Sequence, residues 1–394
     1  MATVPINEVN DNVFLALGEM LWSWELCKGC AAGQACSSSL SCSSSRMPKA
    51  KRYFQFYEAL VLDYLQGVLE SRRVLNTHGD VFRIIEYLKT NPDVTYSGLS
   101  EIICPAGHPD NSTEAVSNAI ILAVKVGTMI DCSALYQSPD RLEKGMSRIC
   151  WRGDVPFSKY LQDLFPTQNH PVWSSPHQEN DVLLVMKSEL RAPKLVKHLK
   201  LKFRPTHDIR NHLRLDPRRN TLEVFHYTSF LKEQLRATRR EASGIGARNI
   251  PGALLPRQLL LETLDSTQQI LFPLHDAKAK RILNSLVKDQ RYKFDAETGR
   301  FEFGALRSAG EENISYVYLA DRLEELYQEL QNPRPRSWLD GHLQRRSGAR
   351  YMMLATLVGV LFAVLLGIAA LVLSAIQTWI AYEAWKRPIA TSGV

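Results

Sequence analysis

Four cysteines come closest to chemistry in this 394-residue chain: Cys27, Cys30, Cys36 and Cys42, spaced C-x2-C-x5-C-x5-C within CKGCAAGQACSSSLSC. Four thiolates are enough to close a tetrahedral zinc site. Zinc sequences, however, usually carry two short-spaced pairs split by a longer loop, and here only Cys27 and Cys30 make such a pair. The surrounding Ser, Gly and Ala residues show no apolar periodicity, so the stretch reads as a flexible linker with reduced, unliganded thiols. On that reading no metal and no cofactor is expected, with zinc ligation and lipidation as alternatives. Cys104, Cys132 and Cys150 are scattered and read as small buried apolar residues.

His212 and Asp216, in HLRLD, have a His-x3-Asp spacing used in acyl transfer, but the chain lacks the preceding His and the following Gly of that pattern. There is no Gly-x-Ser-x-Gly elbow, no phosphate-cradling glycine loop and no His-Glu-x2-His. No catalytic residue is assigned, and a non-enzymatic role is favoured.

A basic segment is more informative. Lys194, Lys197, Lys200, Lys202 and Arg204 are followed by Arg210, Arg214, Arg218 and Arg219, opposed only by Asp208 and Asp216. The chain as a whole carries a net charge of +7. Near anionic lipid each such cation contributes about 1 kcal/mol. A nucleic-acid face is disfavoured, because no aromatic residues interleave with the cations. The plainest reading is a strand edge guarded by lysines; a lipid-facing patch is the functional one.

From Tyr351 to Tyr382 the chain has no charged side chain. At about 1.5 Å per residue, some 20 residues cross the hydrocarbon core, so this run is predicted to be a transmembrane helix. Arg334, Arg336, Arg345, Arg346 and Arg350 precede it; Lys386 and Arg387 follow, partly offset by Glu383. The positive-inside rule then places the N-terminal body in the cytosol. Trp379, Tyr382 and Trp385 stand where an interfacial aromatic belt belongs. Ala355, Gly359, Ala363 and Gly367 recur every fourth residue, a stripe that would let a second helix approach. The N-terminal stretch carries Glu8, Asp11 and Glu19 through its apolar residues and reads as no signal peptide. A single-pass, tail-anchored protein of the endomembrane system or plasma membrane is expected.

The elements that position these residues are predicted to be mainly α with a small mixed α/β portion. Residues 1–50 form an N-terminal helix (Asn12 to Leu26) and the Ser/Cys-rich linker. Residues 51–164 form a helical unit with helices at Tyr53–Val74, Val81–Leu88, Tyr96–Ile103 and Thr113–Met129, an order that leaves room for a winged helix. The Pro, Ser, His and Asn content of Phe165–Asn180 marks a boundary. Residues 181–331 form the α/β region. Its strands are predicted at Leu199–Phe203 and Asn220–Tyr227, with a short helix in HDIRNHLRLD between them and a hairpin at Tyr292–Phe303 turning on Thr298-Gly299. Two amphipathic helices lie in LLPRQLLLETLDSTQQILFPL and DAKAKRILNSLVKDQ, and a long one in ISYVYLADRLEELYQELQ. A basic juxtamembrane segment (332–350), the transmembrane helix (351–382) and a short tail (383–394) complete the chain.

The stretches Arg204–Leu235, Leu255–Leu274 and FEFGALRSAGEENISYVYLADRLEELYQELQNPRPRSWLDGHLQRRSGARYMMLATLVGVLFAV resemble a large family of filamentous-fungal proteins. The resemblance covers roughly Trp151 to Lys386 and is most specific in the juxtamembrane segment and helix. It implies a fungal source, a mixed α/β cytosolic body and a C-terminal single-pass membrane helix. It carries no assigned activity and no catalytic residues. The expected function is a non-enzymatic adaptor or regulator at a membrane, whose partners are the lipid bilayer, a protein partner and a second helix in the membrane. An accessory component of a fungal secondary-metabolite pathway is the alternative.

Overall fold

Asn10 begins the first helix by accepting hydrogen bonds from the N–H groups of Asn12 (3.1 Å) and Val13 (3.2 Å). α1 (Asp11–Trp22) stops at Ser23, whose left-handed φ of 53° turns the chain so that its N–H donates to Glu19 O. The structure is a computed structural model that describes residues 4–34, 36, 42–104, 113–133, 136–137, 147–148, 150–174, 181–241, 253–289, 294–302, 306–308, 310–311, 313–333 and 350–386. Residues Met1–Pro333 form one compact unit and Arg334–Val394 a second.

Two short turns, α2 (Lys28–Ala31) and α3 (Ser43–Arg46), lead to α4 (Lys51–Gly67). α4 buries Tyr53, Phe54, Phe56, Tyr57, Leu60, Val61 and Tyr64 at helical spacing. Its aromatic stripe meets Trp22 of α1, with ring centroids of Trp22 and Tyr53 5.1 Å apart. A capping box between Thr77 and Asp80 opens α5 (His78–Thr90). α6 (Tyr96–Ile103) and α7 (Thr113–Thr128) follow, then an antiparallel pairing of β1 (Tyr136–Gln137) with β2 (Ser147–Arg148). Thr95 bridges Pro156 just before α8 (Phe157–Leu164). The order three helices, then hairpin, is that of a winged helix. Yet α7, which stands third, buries ten of its residues, from Ala115 to Thr128. A Cβ added at its Gly127 would come within 2.5 Å of Leu254 Cδ1, so the glycine lets that side chain pack directly against the helix.

After α9 (Asp181–Glu189) and α10 (Ala192–Leu199) comes a three-stranded sheet of order β3-β5-β4. β3 (Lys202–Thr206) runs parallel to β5 (Thr221–Phe225), and β4 (Leu215–Asp216) antiparallel to it. α11 (Thr228–Glu241) then crosses to the aromatic cluster, where Phe230 stacks on Tyr53 at 5.3 Å. α12 (Arg257–Asp265) buries every residue from Leu259 to Asp265 and runs into a π-helical turn, Ser266–Leu271. α13 (Ala277–Lys288), α14 (Ala320–Gln331) and α15 (Arg350–Lys386) complete the chain.

The architecture is mainly α with a small α/β portion, and local differences from the sequence reading have physical causes. Residues assigned to separate 51–164 and 181–331 regions share one core. The hairpin predicted at Tyr292–Phe303 is, in its described part, a 3-10 turn, Ala296–Gly299. Asp295 caps that turn through the Glu297 N–H (3.0 Å) while accepting from Ser229 N–H (2.8 Å) and Oγ (2.6 Å). A buried carboxylate serving two elements pulls the segment into the core. β3 starts at Lys202 because α10 consumes Leu199 and Lys200 ends it with φ 53°. HDIRNHLRLD forms a 3-10 turn (Ile209–Asn211) and then β4. The last helix of the body begins at Ala320, not in ISYVY, because the buried Glu262 carboxylate accepts from the N–H groups of Val317 (2.8 Å), Tyr318 (2.9 Å) and Leu319 (2.9 Å).

Candidate metal centre

α2 folds the CKGC segment into one helical turn, which brings Cys27 and Cys30 to the same side. Cys42 immediately precedes α3, and its backbone bridges Glu25 in parallel. That bridge brings Cys42 back beside the α2 turn, and all four sulfurs of Cys27, Cys30, Cys36 and Cys42 lie within 4.8 Å of one another. Cys27 Sγ and Cys36 Sγ are 3.8 Å apart. The Cys27 N–H donates to Cys42 Sγ at 3.4 Å, and the Cys30 N–H to Cys27 Sγ at 3.5 Å. The first of these holds the Cys42 thiol below its ordinary value. Cys42 is buried, Cys27 and Cys30 half-buried and Cys36 exposed. The described residues of the segment form a knuckle with converging thiols.

The knuckle hands directly into a buried ionic network. Arg46, the last residue of α3, lies 6.0 Å over the Trp24 ring and 3.2 Å from Glu233 of α11. Glu233 also accepts the Trp24 indole N–H at 2.8 Å and pairs with Arg236, which reaches Glu302. Sequence reasoning missed this network. The local signal was Trp24 next to the cysteines, since its acceptor Glu233 is 209 residues away.

His212 and Asp216 are not brought together. His212 Nδ1 accepts from the Phe225 N–H (3.1 Å), so the proton sits on Nε2, which donates to Ser266 Oγ (2.8 Å). Ser266 Oγ in turn donates to Thr263 O at 3.1 Å. A histidine that activates a serine must accept its proton; this one donates. Asp216 instead accepts from the N–H groups of Arg218 and Arg219. Burial, with Arg322 nearby, pushes His212 down to about 3. His226 is likewise pushed to about 3 by burial, and both of its ring nitrogens are buried without a hydrogen-bond partner. Lys232 is buried but satisfied by Glu297 (Oε2 and O, both 3.1 Å) and Arg300 O (2.7 Å).

A cleft of about 460 Å³ opens between α1, α5 and α11, with Glu19, Arg83, Glu86, Lys89 and Gln234 on its walls. Its described lining has no histidine, cysteine or tyrosine. Lys89 donates to the carbonyls of Met20 (2.6 Å) and Leu21 (3.1 Å), closing the C-terminal end of α1.

The basic segment divides. Lys197, Lys200, Lys202 and Arg204 are exposed, the last two on the outer face of edge strand β3, while Lys194 is half-buried and pairs with Glu189 at 2.7 Å. Arg210 turns inward, where it pairs with Asp208 and donates to Asp131 O at 2.8 Å. In the second unit, Thr356–Lys386 of α15 is long and apolar enough to cross a membrane, with mean hydropathy 2.8 over its most apolar 18 residues. A Cβ on Gly359 or Gly367 would meet nothing within 4 Å, and Ala363 is exposed with them. Arg350 opens α15 and Lys386 ends it. The side chains of Arg350 and Ala355, and residues Arg345, Arg346 and Arg387, lie outside what the structure describes.

Scans against protein-family models, curated proteins and solved structures find no match for the chain.

Proposed function

We propose that the chain is a single-pass, tail-anchored membrane protein whose helical body acts in the cytosol as a non-enzymatic adaptor or regulator. One observation carries the membrane part: the 31-residue candidate span Thr356–Lys386 of α15, with none of its most apolar window buried. Leaving so many large apolar side chains in water is costly, at about 25 cal/mol per Å² of exposed surface. The arginines ahead of the helix support the cytosolic orientation. The exposed cations Lys197, Lys200, Lys202 and Arg204 suit contact with anionic headgroups.

Anchoring raises the local concentration of partners on one membrane. The test combines topology and neighbours. In intact microsomes a reporter fused to the N-terminal body should be digested by added protease, and a chain lacking residues 351–386 should be released by carbonate. Retention of that shortened chain in the carbonate pellet overturns the anchor; protease protection of the body overturns the orientation. Proximity labelling from the body should recover a reproducible set of neighbours, and a random sample of membrane proteins would remove the adaptor.

A further inference from the structure

We propose that Cys27, Cys30, Cys36 and Cys42 bind one Zn2+ ion as a closed tetrathiolate site that fixes the chain between α1 and α4. A zinc ion bonded to sulfur at about 2.3 Å in tetrahedral geometry sets its sulfurs about 3.8 Å apart. The Cys27 and Cys36 sulfurs stand at that separation, 3.8 Å, and all four fall within 4.8 Å. A disulfide requires about 2.05 Å, so this pair is spaced for a shared ion and not for a bond.

The surroundings suit thiolates. Backbone N–H groups of Cys27 and Cys30 point at Cys42 Sγ and Cys27 Sγ, the kind of outer contact that orients metal-bound sulfur. Soft sulfur donors in a tetrahedral S4 set select zinc or iron, and zinc brings no redox chemistry to a site whose Cys36 is exposed. On binding, four thiols release four protons to solvent as the Zn–S bonds form, leaving a centre of net charge −2. With four protein ligands no coordination position stays open for water or substrate, so the site is structural.

The consequence for the fold lies one turn away. Cys42 starts α3 and Arg46 ends it, so an ion that holds Cys42 to Cys27 and Cys30 also holds Arg46 over Trp24 and against Glu233. Without the ion, the Ser/Gly-rich segment from Cys27 to Cys42 has little apolar surface of its own to keep it closed.

The test uses the full chain purified in detergent under reducing conditions. Elemental analysis should find about one zinc and no iron per chain. A Cys30→Ser, Cys36→Ser double variant should carry about none, while Cys104→Ser keeps its zinc. Alkylation of the four thiols in the wild-type chain should be slow until a strong chelator is added. Because the double variant could misfold, the wild-type chain is also exchanged into Co2+, which should give the thiolate-to-metal and d–d absorption of a tetrahedral S4 site. Zinc-free, cobalt-blind wild-type protein overturns the proposal, as does stoichiometric iron or finding the four thiols acylated.

Discussion

The indole N–H of Trp24 donates to Glu233 across 209 residues of sequence, at 2.8 Å and out of contact with water. Arg46 adds its charge from the other side at 3.2 Å. Removing one partner of a buried ion pair strands the other charge, typically at about 3–5 kcal/mol. Glu233→Ala should therefore lower the unfolding free energy of the full chain, read from denaturant titration, by an amount in that range. Arg46→Met combined with Glu233→Leu should recover most of the loss, because Arg236 keeps Glu302 and no buried charge is then left unpaired. Equal midpoints for the single and double variants would show that the network is not charge-paired in solution.

Trp24 lies flat on α1. A Cβ at Gly18 would stand 2.3 Å from the Trp24 ring, which has no room to retreat between Trp22 (5.1 Å) and Phe54 (6.0 Å). Gly18→Ala raises helix propensity by up to about 1 kcal/mol, yet overpacking a filled site costs about 1–3 kcal/mol. The clash should prevail. Thermal unfolding is expected to show a lower midpoint and a shifted tryptophan emission; a higher midpoint would mean that Trp24 sits elsewhere.

Acid should destabilise the body through its histidines. Burial lowers His78, His207, His212 and His226, the last two to about 3, from an ordinary value near 6.5. Between pH 6.5 and 3 the unfolded chain binds protons that the folded chain refuses, so stability falls as pH falls, by about 1.4 kcal/mol per pH unit for each fully coupled histidine. Glu262 and Asp295, raised by burial, act in the opposite sense but are fewer. His226 has two unpartnered ring nitrogens among Tyr227, Phe294 and His207, an aromatic site that a phenyl ring would fill. His226→Phe should leave the midpoint at pH 7.5 unchanged or higher and give its largest gain near pH 5. A gain independent of pH would show that His226 is not neutral by burial.

Much of this body was legible where chemistry is local. Helical periodicity located α1, α5, α6 and α7 to within a few residues, and the start of α4, which ends at Gly67, seven residues before the predicted Val74. The apolar run that forms most of α15 needed only length and hydropathy. What could not be read depends on distant partners. The cysteines look like a linker because their convergence requires the Glu25–Cys42 bridge and the turn of α2 together. The 292–303 segment carries a hairpin pattern that Asp295 overrides by bonding Ser229. Nothing in HLRLD reveals which nitrogen of His212 holds the proton; that is fixed by the Phe225 N–H.

The start of α14 rests on one side chain of another helix. Glu262 of α12 is fully buried and accepts three consecutive backbone N–H groups, from Val317, Tyr318 and Leu319, which would otherwise point into the core unpaired. Asp265, one turn later, accepts from Tyr316 Oη and Arg307, both at 2.5 Å, so the same face of α12 seats the whole approach to α14. Glu262→Ala leaves the buried Leu319 donor and the two part-buried donors of Val317 and Tyr318 unsatisfied and opens a cavity, for a loss of several kcal/mol at about 1–3 kcal/mol per orphaned buried group. Glu262→Gln keeps the shape and one acceptor oxygen but turns an amide N–H2 toward a donor, so its cost should be smaller yet clear. Hydrogen exchange then separates local from global effects. In Glu262→Gln the amides of 317–323 should lose protection before those of α4 or α7. If protection falls evenly over the body, the α14 junction is not an independent unit and the carboxylate holds the core as a whole.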